Sequence, residues 1–120
     1  MDNNKLRKKK EIRLHDVCLI TIDNKKIYIK HPAYIFLEND NVYIYVTITH
    51  SRNVKGFLTI KLRKNPNPKD KKESYWVAEI RQDTKNAFTK VKSDWSVDEL
   101  DDKDIRGFFD EQKTDDSAIR

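Results

Sequence analysis

The sequence predicts a small, mainly β domain in which an antiparallel sheet curls toward a barrel and one helix follows near the C-terminus. Short strand-like runs separated by turns continue to about residue 92, and apolar residues at helical spacing appear only after them. The chain has 120 residues, of which 37% are hydrophobic, so it fits one domain with a modest core.

Two successive hairpins are predicted at the start of the sheet. The first joins residues 17–22 to residues 25–30 through Asp23 and Asn24, which tolerate the positive φ of a tight turn. The second spans residues 33–49 and turns at a polar interval of asparagine and aspartate near its middle. These hairpins would supply the first strands of the sheet.

Three strands are predicted from alternating apolar and polar side chains, the pattern of a half-buried strand. They cover residues 42–49, 57–63 and 75–81. The residues expected to face the core are Val42, Ile44, Val46, Ile48, Leu58, Ile60, Leu62, Trp76, Ala78 and Ile80. Thr49 and Arg81 are therefore expected on the outer side of the sheet.

The remaining elements are a polar loop, a short strand and a helix. Prolines and asparagines make residues 65–72 a loop, and residues 87–91 are predicted to form a short strand after a polar interval. Ser96 and Glu99 have the spacing of a capping box, so we expect the helix to begin there. Beyond Glu111 the chain is polar, and we expect the helix to fray.

Basic residues concentrate near the N-terminus and acidic residues near the C-terminus, although the net charge is only +5. Residues 1–14 contain six basic and two acidic side chains. Such a basic field favours polyanions such as RNA, and it is equally typical of a solvated surface. We therefore divide the chain into a basic N-terminal arm at residues 1–14, a barrel domain at residues 15–110 and a polar tail at residues 111–120.

Several common kinds of site are missing from the sequence. There is no glycine-rich phosphate loop and no spacing of cysteine and histidine of the zinc-finger kind. No apolar run approaches the roughly 20 residues of a membrane helix, and the basic N-terminus lacks the apolar stretch of a signal peptide. These features predict a cytoplasmic protein with no membrane contact.

Two histidines lie where predicted strands meet loops, and we expect both to face one cleft. His31 precedes Pro32, and His50 directly follows the strand at residues 42–49. Imidazoles transfer protons near neutral pH, so this pair is a candidate for acid and base catalysis. Each ring is at least equally expected to be a hydrogen-bonded loop residue with no catalytic role. His15 lies outside the pair and is expected in a turn.

Four segments of the chain are similar, in their order and spacing, to sequence motifs of a known toxin family. They are His15-Asp16-Val17-Cys18-Leu19-Ile20, Lys30-His31-Pro32-Ala33-Tyr34-Ile35-Phe36, Ile48-Thr49-His50-Ser51 and Glu79-Ile80-Arg81-Gln82-Asp83-Thr84-Lys85-Asn86-Ala87-Phe88. The family is MazF/PemK, and the resemblance extends from about His15 to Phe109. It implies a small SH3-like antiparallel β-barrel with a C-terminal helix, usually assembled as a homodimer.

The resemblance also implies a toxin-like endoribonuclease that cleaves single-stranded RNA and is silenced by a cognate antitoxin protein. In the family, an arginine before a proline and a threonine at the end of the following strand carry the chemistry, and these positions match His31 and Thr49. Histidine in place of arginine is one departure. A second is that residues 21–30 replace a longer, glycine-containing loop that covers the family's active site, and residues 65–72 are a candidate substitute.

With two histidines at the site, we expect cleavage to proceed by acid and base catalysis without a metal or an organic cofactor. One of His31 and His50 takes the proton from the ribose 2′-hydroxyl, and the other protonates the leaving 5′-oxygen, which gives a 2′,3′-cyclic phosphate. Thr49 or Ser51 is expected to donate a hydrogen bond to the phosphate oxygens.

RNA binding is expected from basic side chains that neutralise phosphates and from a tyrosine that stacks on an unpaired base. The candidates are Lys30, Arg52, Lys55, Arg81, Tyr43 and Tyr45. The tyrosines are equally candidates for packing or for a dimer interface, and both tryptophans, Trp76 and Trp95, are expected as core anchors. The alternative function is a noncatalytic barrel that binds RNA or a protein partner, such as an accessory protein of a mobile element.

Overall fold

The computed structural model describes residues 5–54 and 56–119, with side chains described for residues 5–15, 23–26, 29–54 and 56–112. These residues form a six-stranded sheet of antiparallel pairs and one long helix. The elements are β1 (Arg7–Ile22), β2 (Lys25–Glu38), β3 (Val42–Thr49), β4 (Thr59–Lys61), β5 (Tyr75–Val77), β6 (Arg81–Thr84), a 3-10 helix (Lys85–Ala87) and α1 (Glu99–Ile119). The predicted class, mainly β with a C-terminal helix, is confirmed.

Strand β3 lies at the centre of the sheet. It pairs with β2 along one edge, and along the other edge its first half pairs with β6 and its end pairs with β5. Backbone hydrogen bonds from Thr89 to Leu14 (3.0 Å) and from Lys92 to Ile12 (2.8 Å) attach the chain after the 3-10 helix to β1. The sheet of the described residues does not close, so the predicted barrel is not confirmed.

The hairpin between β1 and β2 turns at the two predicted residues. Asp23 and Asn24 have φ values of 51° and 63°, a region that aspartate and asparagine tolerate better than most residues. Both strands are longer than predicted, because β1 begins at Arg7 and β2 continues through His31 and Pro32. The two strands therefore form one long antiparallel ribbon.

The first half of β1 is part of the fold and not a separate arm. Ile12 is 1% exposed and belongs to the main core, which holds this basic segment in place. His15 is also buried in β1 and not in the predicted turn, with its Nε2 3.0 Å from Asp83 Oδ2 and its ring centroid 4.7 Å from that of Phe88. The predicted boundary between arm and domain therefore falls inside a strand.

Apolar side chains are buried on both faces of the central strands. One face holds the main core, made of Ile12, Tyr34, Phe36, Ile44, Val46, Ile48, Leu62, Trp76 and Ile105. The other face holds a smaller cluster, made of Ala33, Ile35, Tyr43 and Tyr45 with Phe88 packed against it. The alternation predicted for β3 is correct, but its tyrosine face is covered as well because Phe88 packs onto it.

Four predictions between residues 57 and 91 are wrong. The strand predicted at residues 75–81 ends at Val77, and Arg81 begins the separate strand β6. Leu58 is 70% exposed, since β4 begins only at Thr59 and leaves the leucine outside the paired region. The polar residues of β6 form a strand where an unpaired interval is predicted, because pairing with β3 satisfies their backbone groups. The 3-10 helix then replaces the start of the short strand predicted at residues 87–91.

Helix α1 begins at Glu99, and Asp98 caps it instead of Ser96. The Asp98 carboxylate accepts a hydrogen bond from the Leu100 backbone N–H at 2.9 Å, so the cap lies two residues later than the predicted capping box. The helix continues to Ile119, past the predicted fraying point. No helix in the described ranges combines the length and apolar character needed to cross a membrane.

A buried ionic network attaches α1 to the sheet. Tyr34 Oη donates to Asp102 Oδ1 at 2.6 Å, and Arg106 Nε donates to Asp102 Oδ2 at 2.9 Å. Arg106 also donates to the carbonyl oxygens of Phe36 (2.6 Å) and Lys9 (2.7 Å). Burial acts to raise the pKa of Asp102, but the hydrogen bonds from Arg106 and Tyr34 outweigh it and hold the pKa below its usual value. The helix is therefore held against β1 and β2.

Candidate functional site

A cavity of about 240 Å³ lies where β2, the end of β3 and the loop after β4 meet. Its lining consists of Lys30, His31, Pro32, Ile48, Thr49, His50, Asn65, Asn67, Asp70, Ser74 and Trp95. We call this cavity the histidine cleft. Both histidines that the sequence places at strand ends line it, together with Thr49.

The antiparallel pairing of β2 and β3 explains why these residues meet. Ala33 pairs with Thr47, so the residues two positions before Ala33 and two positions after Thr47 lie at the same end of the two strands. These residues are His31 and Thr49, and His50 follows directly. At this end β3 pairs with β5, and the cleft lies beside it.

His50 is held by an aspartate from the loop after β4. Its Nε2 lies 2.7 Å from Asp70 Oδ2, and the Lys72 backbone N–H donates to Asp70 Oδ1 at 3.0 Å. The hydrogen bonds from Lys72 and His50 lower the pKa of Asp70, so the carboxylate is charged at neutral pH. A carboxylate only accepts, so Nε2 of His50 carries the hydrogen and the neutral ring has its lone pair on Nδ1.

The loop at residues 65–72 forms one wall of the cleft. Asn65 Nδ2 donates to the Lys72 carbonyl at 3.0 Å, which closes the loop on itself. Pro66 is buried, and its carbonyl accepts a hydrogen bond from the Ser96 backbone N–H at 3.1 Å. The loop is therefore tied to the segment before α1, and it presents its aspartate to the cleft.

Of the two hydroxyls expected at the site, only Thr49 lines the cleft. Thr49 Oγ1 accepts a hydrogen bond from the Ser51 backbone N–H at 3.1 Å, and its own hydrogen can still be donated to a bound group. Ser51 Oγ donates to the Asn53 carbonyl at 2.8 Å and accepts from the Asn53 backbone N–H at 3.2 Å. The Ser51 hydroxyl is therefore engaged in its own turn, outside the cleft.

Two residues of the cleft have roles that the sequence does not predict. Ser74 is 3% exposed, and its Oγ has no hydrogen-bond partner among the described residues. The hydroxyl oxygen is closed off from solvent, so the lack of a partner costs free energy. Trp95, expected as a core anchor, packs against the core at one side and lines the cleft at the other. Both come from segments that are distant in sequence from the histidines, so no local pattern marks them.

A second cavity, of about 210 Å³, adjoins the cleft and shares His31 and Thr49 with it. Its other lining residues are Tyr45, Thr47, Val54, Phe57, Val77, Glu79 and Arg81. Arg81 Nη1 lies 3.4 Å from Glu79 Oε1, and the Arg81 side chain is 47% exposed. Arg81 therefore emerges on the outer side, as predicted, at this second cavity.

The expected RNA-binding cations lie in different places. Lys30 lines the histidine cleft, and Arg81 lines the second cavity. Arg52 lines neither cavity, and its Nε donates to Tyr75 Oη at 2.9 Å. Lys55 lies outside the described residues. The structure thus brings two of the four expected cations to the two cavities.

Tyr43 and Tyr45 are not available to stack on a base. They are 7% and 1% exposed, and their ring centroids lie 5.3 Å and 5.1 Å from that of Phe88. Tyr45 Oη donates to Asp83 at 2.9 Å, and burial together with this hydrogen bond raises the pKa of Tyr45 to about 12. The expectation of an exposed stacking tyrosine is therefore wrong, and both rings serve packing.

Among the described residues, no group of three or more histidine, cysteine, aspartate and glutamate side chains is arranged to hold a metal ion. No known family model, curated protein or solved structure matches the chain. The geometry of the cleft is therefore the basis for assigning a function.

Proposed function

We propose that the chain is a toxin-like endoribonuclease that cleaves single-stranded RNA in the histidine cleft. The observation that carries the proposal is that His31, Thr49 and the hydrogen-bonded pair of His50 and Asp70 line a single cavity. Cleavage through the ribose 2′-hydroxyl needs an acid, a base and donors for the phosphate oxygens. The proposed reaction uses only groups of the protein and the RNA, with no metal or organic cofactor.

His50 acts as the base in this mechanism. Because Asp70 accepts the hydrogen of Nε2, Nδ1 takes the proton from the 2′-hydroxyl, and the carboxylate stabilises the imidazolium that forms. The 2′-oxygen forms a bond to phosphorus while the bond between phosphorus and the 5′-oxygen breaks. Protonated His31 donates its proton to the leaving 5′-oxygen, which yields a 2′,3′-cyclic phosphate and a 5′-hydroxyl.

The remaining polar groups of the cleft bind the phosphate. The Thr49 hydroxyl donates to one of its nonbridging oxygens, and Lys30 contributes positive charge beside it.

The resemblance to the MazF/PemK toxins supports the same function. The positions that match the family's arginine and threonine are His31 and Thr49, and both line the cleft. The loop at residues 65–72 substitutes for the family's glycine-containing loop, since it forms a wall of the cleft. By the same resemblance we propose a cytoplasmic homodimer that a cognate antitoxin protein silences.

Cleavage of labelled single-stranded RNA by the purified protein in the presence of a chelator tests the proposal. Wild type is expected to cut RNA and to leave DNA of the same sequence intact, because DNA lacks the 2′-hydroxyl. His31→Ala and His50→Ala are each expected to lower the cleavage rate by about 10²- to 10⁴-fold, since each removes a proton-transfer group. Thr49→Ala is expected to lower it as well, whereas Ser51→Ala, a matched control outside the cleft, leaves the rate unchanged.

A wild-type protein that shifts RNA on a native gel but leaves it intact would contradict the proposal. That result would support the alternative function, a noncatalytic domain that binds RNA. Growth arrest on expression that disappears in His50→Ala would argue against a merely accessory role. Circular dichroism of each variant establishes that a lost activity is not a lost fold.

A further inference from the structure

The second cavity shares His31 and Thr49 with the histidine cleft, and its own lining is mixed in character. Its volume is about 210 Å³, and the apolar side chains of Phe57 and Val77 line it together with the carboxylate of Glu79. A nucleic acid whose phosphate lies against His31 and Thr49 therefore has a neighbouring space into which the adjacent nucleoside can extend.

Phe57 supplies an exposed aromatic surface at this cavity. It is 43% exposed although it is a large apolar residue, and its backbone N–H donates to the Val54 carbonyl at 2.9 Å. Gly56 lies in this turn with a φ of 85°, a conformation that glycine adopts without steric strain. The turn thus holds the aromatic ring at the cavity, and every nucleobase has a π-face that stacks on such a ring.

The charges at the cavity decide which part of a nucleotide it fits. Glu79 Oε1 lies 3.4 Å from Arg81 Nη1, so the two side chains offset each other's charge. A cavity whose charges offset each other favours a neutral base over a phosphate, and the Glu79 carboxylate can accept hydrogen bonds from the amino and imino groups of a base. The cavity is therefore suited to a base, while the phosphate fits the histidine cleft.

We propose that the second cavity is a base pocket, which binds one unpaired nucleobase next to the scissile phosphate. Phe57 stacks on the base, and Glu79 accepts hydrogen bonds from its edge. Guanine is the expected base, because its N1–H and exocyclic amino group are adjacent donors that one carboxylate can accept together. The position next to the scissile phosphate rests on the proposed cleavage in the histidine cleft, whereas the binding of a base does not.

Fluorescence anisotropy with short labelled DNA oligonucleotides, which lack the 2′-hydroxyl and cannot be cleaved, tests the base pocket. One central position carries guanine, adenine, cytosine, thymine or no base. Wild type is expected to bind the guanine oligonucleotide about tenfold more tightly than the abasic one, a gain typical of one stacked base. Equal affinities for these two oligonucleotides would overturn the proposal.

Phe57→Ala is expected to lower the affinity for the guanine oligonucleotide to that of the abasic one. The matched control is Leu58→Ala, because Leu58 is 70% exposed, adjacent in sequence and outside the lining of both cavities. Equal losses in the two variants would overturn the proposal, since they would show a general surface effect. If Phe57→Ala fails to fold, Phe57→Leu gives the same test, because leucine is apolar but has no aromatic face.

Glu79→Gln tests whether the Glu79 carboxylate recognises guanine through hydrogen bonds to its edge. Glutamine keeps the size of the side chain but replaces one acceptor oxygen with a donor, so the preference for guanine over adenine is expected to disappear. Stacking should persist, and the variant should still bind both purines more tightly than the abasic oligonucleotide. An unchanged preference for guanine would contradict the role of Glu79.

RNA cleavage separates this inference from the proposed function. If the wild type cleaves RNA but its affinity does not depend on the base, the proposal of a base pocket is wrong and the proposed nuclease function stands. If the affinity depends on the base but RNA stays intact, the proposed nuclease function is wrong and the proposal of a base pocket stands.

Discussion

At the residue scale, Asp70 is the side chain on which the proposed chemistry most depends after the two histidines. It does not touch the substrate in the mechanism, and it acts by holding the His50 ring in one tautomer through a 2.7 Å hydrogen bond. The two residues are 20 positions apart in the chain. Asp70 is therefore a positioning residue that depends on the folded path of the loop.

Replacing Asp70 by asparagine tests this positioning role. Asp70→Asn keeps the size of the side chain but removes the charge, so we expect kcat for RNA cleavage to fall by about tenfold or more with little change in KM. The ¹⁵N NMR signals of the His50 ring should change from one neutral tautomer to a mixture of two.

Asp40→Asn is the control for this experiment. Asp40 pairs with Arg7 at 2.9 Å and lines neither cavity, so its replacement should leave kcat and the His50 signals unchanged. An Asp70→Asn variant with wild-type kcat and an unchanged tautomer would show that His50 does not need the aspartate.

At the element scale, the strands divide into those that local preference predicts and those that depend on distant partners. The turn at Asp23 and Asn24 and the alternation in β3 could be predicted, because both follow from the conformational preferences of adjacent residues. The early start of β1 and the polar strand β6 could not, because Arg7 pairs with Glu38 at the far end of the long hairpin and β6 pairs with β3, which lies far before it in the chain.

The first half of β1 can be tested as a structural element. Ile12→Ala removes a side chain that is 1% exposed in the core, so we expect the free energy of unfolding to fall by about 3 kcal/mol. Urea denaturation measures this loss, and Leu6→Ala, at a position that is 37% exposed, should cost less than about 1 kcal/mol. A similarly small loss in Ile12→Ala would mean that this segment behaves as the separate arm predicted from composition.

The start of α1 gives a second test at this scale. Asp98→Ala removes the carboxylate that accepts the Leu100 N–H, and we expect a loss of about 1 kcal/mol in the free energy of unfolding. Ser96→Ala should be close to neutral, because Ser96 lies before the observed cap. The reverse order of the two losses would place the helix start at the predicted capping box.

At the scale of the whole molecule, paired carboxylates determine how stability depends on pH. Burial acts to raise the pKa values of Asp102 and Glu38, but hydrogen bonds from Arg106 and Lys85, respectively, help to outweigh it and both values are lowered. A carboxylate with a lower pKa in the folded state stabilises it above the unfolded pKa, and this stabilisation is lost as the pH falls through the folded value. Asp101 acts in the opposite direction, because burial raises its pKa.

We therefore expect the free energy of unfolding to fall as the pH is lowered below about 5 toward 3. Urea denaturation across this range measures the dependence. Asparagine does not titrate. The free energy of unfolding of Asp102→Asn is therefore expected to be lower than that of wild type at neutral pH and to change less on acidification. A variant whose stability falls as steeply as that of wild type would show that Asp102 contributes little to the acid dependence.

The candidate site could be predicted from the sequence only in part. His31 and His50 could be placed together, because an antiparallel hairpin brings these two strand ends to one side. Asp70 could not be identified, since nothing local links an aspartate in a polar loop to a histidine at a strand end. The burial of Tyr45 could not be predicted either, because it depends on Phe88 packing over the outer face of β3.

Mass spectrometry of the fragments that the wild-type protein produces from single-stranded RNA in chelator identifies which bond is broken and which end groups form. Cleavage in the histidine cleft through the 2′-hydroxyl predicts fragments that end in a 2′,3′-cyclic phosphate and fragments that begin with a 5′-hydroxyl. A single 2′-deoxy substitution at the cleaved nucleotide should abolish the cut. Intact RNA, or fragments that begin with a 5′-phosphate, would contradict the account.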